Sequence, residues 1–195
     1  MSDLWTRFRN GDADAFGELI HTHYQDLYHY GIRFTKDEEL VKDCIQELFL
    51  SIWKSRASFT EVVQLKYYLL KSFRRKVSRE LQRNKRIKTL ELHFETGFDT
   101  ELSIDHTLIK EEATLELAKK VRAIISRLSK RQQEIIYLRF YLNTDMEEIA
   151  GIMSLNRQSV YNLLHEALKK MKDNTDHDIL SVSVAVLLAA MLAVS

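Results

Sequence analysis

Polar side chains that can bond DNA bases recur every three or four residues along one segment near residue 160. The set is Gln158, Tyr161, Asn162, His165 and Lys169. A helix with about 3.6 residues per turn would bring them to one face. There the amides could bond adenine bidentately, the lysine could neutralise a phosphate, and Arg157 could contact a guanine or a phosphate. The pattern predicts a face that contacts DNA.

The segment around this face has the pattern of a helix-turn-helix. Thr144 and Glu147 have the spacing of a capping box, which predicts that a first helix starts at Asp145. A turn follows at Ser154, and Asn156 is a suitable N-cap for the second helix. Apolar residues at helical spacing predict the buried face of that second helix: Val160, Leu163, Leu164, Ala167, Leu168 and Met171. An ordinary antiparallel helix pair would have the same spacing, so the motif alone leaves both interpretations open.

Composition predicts an all-α protein. The 195 residues include no Pro and five Gly, while 45% are hydrophobic and 29% charged, so long periodic runs meet few helix breakers. The lone Cys44 excludes an intrachain disulfide and suits a reducing compartment. The first ten residues carry several charges and do not resemble a signal peptide. A cytoplasmic location is therefore expected.

The net charge of +1 conceals strong local charge. Residues 71–88 carry nine basic groups against Glu80 alone, and residues 113–172 carry eleven basic against six acidic groups. Between them, residues 89–112 carry seven acids against Lys110. The near-neutral total thus conceals two basic blocks separated by an acidic one. The expected organisation is a first helical domain over 1–88, an acidic linker over 89–112, a second helical domain over 113–172 and a tail over 173–195, and the linker assignment comes from the resemblance described below.

The first basic block is helical in pattern, with apolar residues along one side from Leu65 to Leu81. Its other side is rich in cations, including Lys71, Arg74, Arg75 and Arg79. Solvated faces usually mix both signs of charge, so a single acid in this block favours nucleic-acid contact over a plain surface. Tyr67 and Tyr68 could stack on unpaired bases or belong to the core, and both interpretations stay open.

Two earlier amphipathic segments, 12–35 and 36–53, complete a predicted three-helix unit. The second has a polar-edged stripe on a face that its core pattern does not use: Asp43, Gln46, Glu47 and Leu50. Such a stripe could dock a partner or be ordinary surface. No phosphate-binding Gly loop or catalytic triad is evident, and the histidines lack metal-ligand spacing. Neither enzymatic activity nor a metal or cofactor is predicted.

Two motifs resemble parts of one protein family. Residues 43–53, DCIQELFLSIW, resemble the D-x-x-Q-E-x-F helix of domain 2 in sigma-70 family factors, and residues 149–171 resemble the domain 4 helix-turn-helix. Their order and separation match the extracytoplasmic-function subfamily, or group 4. Residues 158–165, QSVYNLLH, are similar to Bacteroidetes-type members. The resemblance implies a transcription initiation factor that directs core RNA polymerase to promoters of a stress or envelope-signal regulon, with an anti-sigma factor as a further partner.

The resemblance also implies roles for particular residues. Those matching the helix that docks core polymerase are Asp43, Gln46, Glu47 and Phe49. The loop 58–64 and the following helix match the −10 element-melting segment, with candidate contacts from Tyr67, Tyr68, Lys71, Arg74, Arg75 and Arg79. The linker matches a segment that threads the polymerase cleft. The candidate −35 contacts are Asn156, Arg157, Gln158, Tyr161, Asn162, His165 and Lys169.

The chain departs from the family pattern at three positions. Ser154 replaces the usual turn glycine, while Leu163 and Glu166 stand where many members carry Arg. Fewer phosphate contacts are expected there. A helix-turn-helix regulator that binds DNA alone is the alternative function, although the Asp43-to-Phe49 motif argues against it.

The segment 179–195 is 17 residues without charge. As a helix it would extend roughly 25 Å, short of the ~30 Å hydrocarbon core of a bilayer. Packing on the protein's own domains or on a partner is favoured over weak membrane association. The hypothesis is that the tail holds the free factor in a compact, DNA-incompetent state. Weak membrane association is the alternative, and it would suit a membrane-tethered adaptor.

Overall fold

The computed structural model describes residues 2–59, 65–88 and 121–173. Within these ranges the chain is helical and contains no β-strand, so the all-α prediction is confirmed. The chain divides into two compact units, Met1–Phe94 and Glu95–Ser195. Most of the predicted −10 loop, the acidic linker and the tail after residue 173 lie outside the described residues. No helix in the described ranges is long and apolar enough to cross a bilayer.

The first unit contains four α-helices: α1 (Ser2–Arg9), α2 (Ala13–Gly31), α3 (Glu38–Ser55) and α4 (Leu65–Lys88), with a 3-10 turn over Arg56–Ser58. Aspartates set where the second and third helices begin. The Asp12 side chain accepts hydrogen bonds from the backbone N–H groups of Asp14 and Ala15, and Asp37 accepts one from Leu40. Both helices therefore begin just after the residues from which the apolar pattern predicts them.

The core of this unit lies between α2, α3 and α4. Its buried apolar residues include Leu27, Tyr30, Val41, Ile45, Leu48, Leu69, Leu70, Phe73 and Val77. The short α1, which the sequence pattern did not predict, closes one end of this core. Its Phe8 is fully buried and packs against Phe16 with ring centroids 5.9 Å apart, while Phe16 stacks on Trp53 at 4.7 Å.

Gly31 permits a close approach of three helices in this unit. A Cβ at this position would lie 2.5 Å from Val41 Cγ1 and 2.8 Å from Phe73 Cζ, well inside ordinary van der Waals contact. The residue ends α2 at the point where α3 and α4 meet it. Absence of a side chain here therefore lets all three helices share one tightly packed core.

The second unit contains α5 (described over residues 121–126), α6 (Lys130–Ile136), a π-helical turn (Tyr137–Tyr141), α7 (Met146–Met153) and α8 (Arg157–Asp173). One apolar cluster joins α5 and α6 to α8: Val121, Ile125, Leu128, Ile136 and Ala167. Gln133 connects α6 to the end of α5. Its buried amide Nε2 donates to the carbonyl oxygens of Ile125, Ser126 and Leu128, at 3.2, 3.4 and 3.0 Å.

Two local predictions in this unit are wrong. The capping box is formed by Asp145 and Glu148 rather than Thr144 and Glu147, so α7 begins one residue later than predicted, at Met146. Asp145 takes the cap because Thr144 is 3% exposed and its carbonyl accepts a hydrogen bond from Arg139. Leu168, predicted to be buried, is 43% exposed because the core contacts a narrower stripe of α8 than the apolar pattern spans.

Candidate interaction surfaces

The stripe predicted on α3 is an exposed surface. Asp43, Gln46 and Glu47 are exposed, and Leu50 is 46% exposed. At about 100° per residue, these four positions fall within roughly 100° of the helix circumference. The surface therefore combines carboxylates and an amide with one large apolar side chain, a composition that suits a basic amphipathic partner.

Phe49 does not belong to this surface. It is 5% exposed and packs edge-on against Phe16, with ring centroids 6.3 Å apart. Its ring holds α3 in the core and leaves Leu50 as the apolar group of the stripe. The contact of Phe49 with polymerase stays a prediction.

Glu47 is bridged to the neighbouring helix. Its carboxylate forms an ion pair with Lys76 of α4, whose side chain is 26% exposed. The hydrogen bond from Lys76, followed by the charge of Lys76, lowers the pKa of Glu47. The stripe on α3 and the basic helix α4 are thus joined through one of the residues predicted to dock polymerase.

The basic side chains of α4 divide into those with protein partners and those facing solvent. Lys66 pairs with Asp26 at 2.9 Å, and Lys76 pairs with Glu47. Arg75 and Arg79 are exposed and have no ion pair or hydrogen bond within the described part of the chain. Arg74 is half-buried and has a partner of its own. Arg75 and Arg79 are therefore available, in the described part of this helix, to bind a phosphate backbone.

Tyr67 and Tyr68 lie beside this cationic face and are half-buried. Tyr68 packs edge-on against Phe59 at 5.3 Å. The hydroxyl of Tyr67 accepts a hydrogen bond of 2.8 Å from Lys71, whose ammonium lies 5.1 Å from the Tyr67 ring centroid. Both rings therefore have protein partners and partly accessible surfaces, so base stacking stays a prediction.

The helix-turn-helix in the second unit has the expected turn. Ser154 adopts the left-handed conformation, with φ 56° and ψ 45°, where the family pattern has glycine. The side chain of Asn156 accepts a hydrogen bond of 2.7 Å from the backbone N–H of Ser159. Asn156 is thus the predicted N-cap of α8, and its amide oxygen is already used by the protein.

The predicted DNA-contacting residues at the start of α8 and along it are exposed. All of Asn156, Arg157, Gln158, Tyr161, Asn162, His165 and Lys169 are exposed. Gln158 donates a hydrogen bond of 2.9 Å to Asn162, which aligns the two amides. Leu163 is half-buried and Glu166 is exposed. Because one is apolar and the other is an acid, neither supplies a cation at the two positions where many family members have Arg.

Arg157 has partners on both sides. Its Nη1 donates to Glu147 Oε1 of α7 at 3.1 Å, and its guanidinium lies 5.7 Å from the ring centroid of Tyr161. The nearby Tyr161 side chain, and after it the charge of Glu147, raise the pKa of Arg157. The contact of Glu147 with Arg157 was not predicted, because a contact between residues ten positions apart on two helices produces no periodic pattern in the sequence.

Comparison with known proteins agrees with the order of these two units. Residues 19–87 match the family described as "Sigma-70 region 2", and residues 118–171 match "Sigma-70, region 4". Each match contains one of the two surfaces that the sequence motifs predicted. The chain belongs to the sigma-70 family. Sigma factors are transcription initiation factors, not catalysts themselves, and this chain directs promoter-specific transcription through core RNA polymerase and promoter DNA.

Similar proteins place this sigma factor in the extracytoplasmic-function group, as predicted. It is 24% identical to "ECF RNA polymerase sigma factor SigX" of Bacillus subtilis, over 84% of each chain. It is 28% identical to "RNA polymerase sigma factor NccH" of Alcaligenes xylosoxydans xylosoxydans, over 86% of this chain and 90% of that one.

Solved structures share the fold. CnrH, in complex with the cytosolic domain of CnrY, has a TM-score of 0.57 and 22% identity over 88% of this chain and 94% of its own. RpoE of Bartonella quintana, in complex with the anti-sigma factor NepR, has a TM-score of 0.54 and 15% identity over 82% and 95%.

Proposed function

We propose that this sigma factor docks core polymerase through the α3 stripe, contacts the −10 element through α4, and contacts the −35 element through α8. The observation that carries this assignment is the α3 stripe, with Asp43, Gln46 and Glu47 exposed around Leu50. A partly exposed leucine ringed by acidic and amide groups has the composition of a small protein interface. Its charge suits a basic helical partner.

The outward face of α4 supports the −10 assignment. Arg75 and Arg79 supply two exposed guanidiniums, and Tyr67 and Tyr68 supply partly accessible rings on the same helix. Cations with interleaved aromatic rings suit a strand whose bases are unstacked, because phosphates and base faces are then contacted together. Melting and recognition of the −10 element are consistent with this combination.

The exposed face of α8 supports the −35 assignment. Aligned amides at Gln158 and Asn162 can bond base edges in a major groove, and Lys169 lies farther along the same face. Few cations occupy this face, so discrimination between bases contributes more than general phosphate attraction.

The remaining proposals concern partners and setting. CnrH and RpoE are both described in complexes, RpoE with an anti-sigma factor, and we extend binding of an anti-sigma factor to this chain. We further propose a cytoplasmic location and a stress or envelope-signal regulon, because both are what the resemblance to this group implies. The proposed domain limits stay at 1–88 and 113–172, with 89–112 as linker.

A charge-neutralising pair of variants tests the docking stripe. Asp43→Asn with Glu47→Gln should weaken binding to core polymerase by about tenfold or more, equivalent to ~1.4 kcal/mol. Asp14→Asn with Glu18→Gln removes the same charge from exposed positions of α2 and should leave the affinity unchanged. Affinity is measured by titrating labelled sigma factor with core polymerase. An equal loss of affinity for core polymerase in the two double variants would contradict the assignment of the α3 stripe.

A second experiment tests the α4 face and the alternative function. Arg75→Ala with Arg79→Ala should lower the salt dependence of open-complex formation, by roughly 0.7 in log–log slope for each lost contact to a single-stranded phosphate. Lys66→Ala, which removes a cation already paired with Asp26, is the control. Tight promoter binding by the wild-type chain without core polymerase would instead support a stand-alone regulator.

A further inference from the structure

The Glu147–Arg157 pair is a cross-helix contact at the edge of the DNA-contacting face. Glu147 lies in the first turn of α7, and Arg157 is the first residue of α8. The carboxylate is 3.1 Å from Nη1, and the centroid of the Tyr161 ring lies 5.7 Å from the guanidinium carbon. Two elements of the helix-turn-helix therefore hold one side chain whose free conformers would otherwise sweep a wide volume.

The position of Arg157 suits contact with a base. The first residues of a recognition helix lie deepest in the major groove and contact base edges. A guanidinium has five N–H donors, and two protein partners leave enough of them for a bidentate contact. Guanine accepts such a contact through its O6 and N7 atoms.

Glu147 opposes the competing contact with a phosphate. A phosphate that approached the guanidinium would also approach the carboxylate 3.1 Å from it, and the like charges would repel. A guanine edge carries no net charge and meets no such repulsion. A carboxylate beside the arginine thus disfavours contact with a phosphate and permits contact with a guanine. Specificity arises here from repulsion of the competing ligand.

We propose that Glu147 is a positioning residue that directs Arg157 to a guanine of the −35 element and away from the phosphate backbone. This proposal rests on the proposed role of α8. Both side chains are largely exposed, at 63% for Arg157 and 74% for Glu147. An exposed ion pair shifts a conformer population only severalfold, and that limit sets the size of the expected effect.

The test uses holoenzyme reconstituted with core polymerase and a promoter selected from a library randomised at the −35 element. Each −35 guanine is then replaced in turn by 7-deazaguanine, which lacks the N7 acceptor. Wild-type holoenzyme should lose affinity at one of these guanines, and Arg157→Ala should abolish that sensitivity. Glu147→Gln should reduce it by about threefold to fivefold. The same variant should steepen the log–log salt dependence by part of the ~0.9 that one full contact to a duplex phosphate contributes, as Arg157 spends more time at a phosphate.

Glu166→Gln is the matched control. Glu166 is an exposed acid on α8 with no ion pair among the described residues, so its loss should raise affinity for selected and scrambled promoters alike. In an Arg157→Ala background, Glu147→Gln should have no effect on guanine sensitivity. Thermal unfolding of each variant confirms that the fold is retained.

The outcomes separate the proposal from the function on which it rests. If Glu147→Gln behaves like Glu166→Gln while Arg157→Ala abolishes guanine sensitivity, the positioning role is overturned and the −35 role of α8 stands. If Arg157→Ala leaves every guanine sensitivity unchanged, Arg157 does not contact a −35 guanine and the proposal fails directly. If discrimination between −35 sequences is lost only in variants outside α8, both the positioning role of Glu147 and the −35 role of α8 are overturned.

Discussion

Substitution of Gly31 by alanine tests the packing of the first unit. The added Cβ would lie 2.5 Å from Val41 Cγ1 and 2.8 Å from Phe73 Cζ, and both atoms belong to residues with no exposed surface. Overpacking of a filled core costs about 1–3 kcal/mol. Replacing glycine by alanine in a helix interior raises stability by up to ~1 kcal/mol through helix propensity, and by less at the last residue of α2. We expect a net destabilisation of about 1–2 kcal/mol.

Gly17 provides the control within the same helix. A Cβ there meets no atom within 4 Å, so Gly17→Ala should stabilise the unit by about 0.5–1 kcal/mol through helix propensity alone. The two substitutions have identical chemistry and opposite expected signs. Their difference, about 1.5–3 kcal/mol, isolates the close helix approach from the general effect of removing a glycine.

Urea unfolding followed by tryptophan fluorescence measures this difference. The chain has two tryptophans, Trp5 and Trp53, and both lie in the first unit, so the signal reports that unit. A Gly31→Ala protein as stable as the wild type would refute the reasoning. It would mean that α3 and α4 separate from α2 at little cost, and that the core is less tightly packed than the distances indicate.

Three further substitutions or treatments have defined outcomes. Ser154→Gly should stabilise the second unit by about 1 kcal/mol, because serine is strained in the left-handed conformation; hydrogen exchange of α7 and α8 amides measures it. Gln133→Ala should destabilise the same unit by about 1–3 kcal/mol, since its amide bonds three carbonyls at the end of α5; circular dichroism follows the loss. Burial raises the pKa of the Cys44 thiol from 9.0 to about 11. Its alkylation at pH 8 should therefore be about a hundredfold slower in the native protein than in urea.

Periodicity and capping residues predicted most of the helical framework. The apolar spacing that predicts α2, α3 and α4 is present in the structure because these helices bury one face each in a common core. The turn at Ser154 and the cap at Asn156 were also predicted, since both depend on a few adjacent residues. Such features are local, and local sequence is sufficient to specify them.

Contacts between distant positions were beyond this kind of prediction. Phe49 matches a docking motif yet lies in the core, because the side-chain direction of one residue depends on how the whole helix packs. Leu168 fits the apolar stripe of α8 but faces solvent for the same reason. The partners of Glu47 and Arg157 lie 29 and ten residues away, on other helices. Only the folded arrangement of the helices could reveal them.

The ion pair between Glu47 and Lys76 has a mechanical consequence. It joins α3 to α4, two helices that already share one core. The α3 stripe proposed to bind polymerase and the α4 residues proposed to contact the −10 element therefore belong to one packed unit. A displacement that polymerase imposes on α3 would then pass to α4 through this ion pair and the shared core. Under the proposed assignment, loosening the core between these helices would slow strand separation even if every residue touching polymerase or DNA were unchanged.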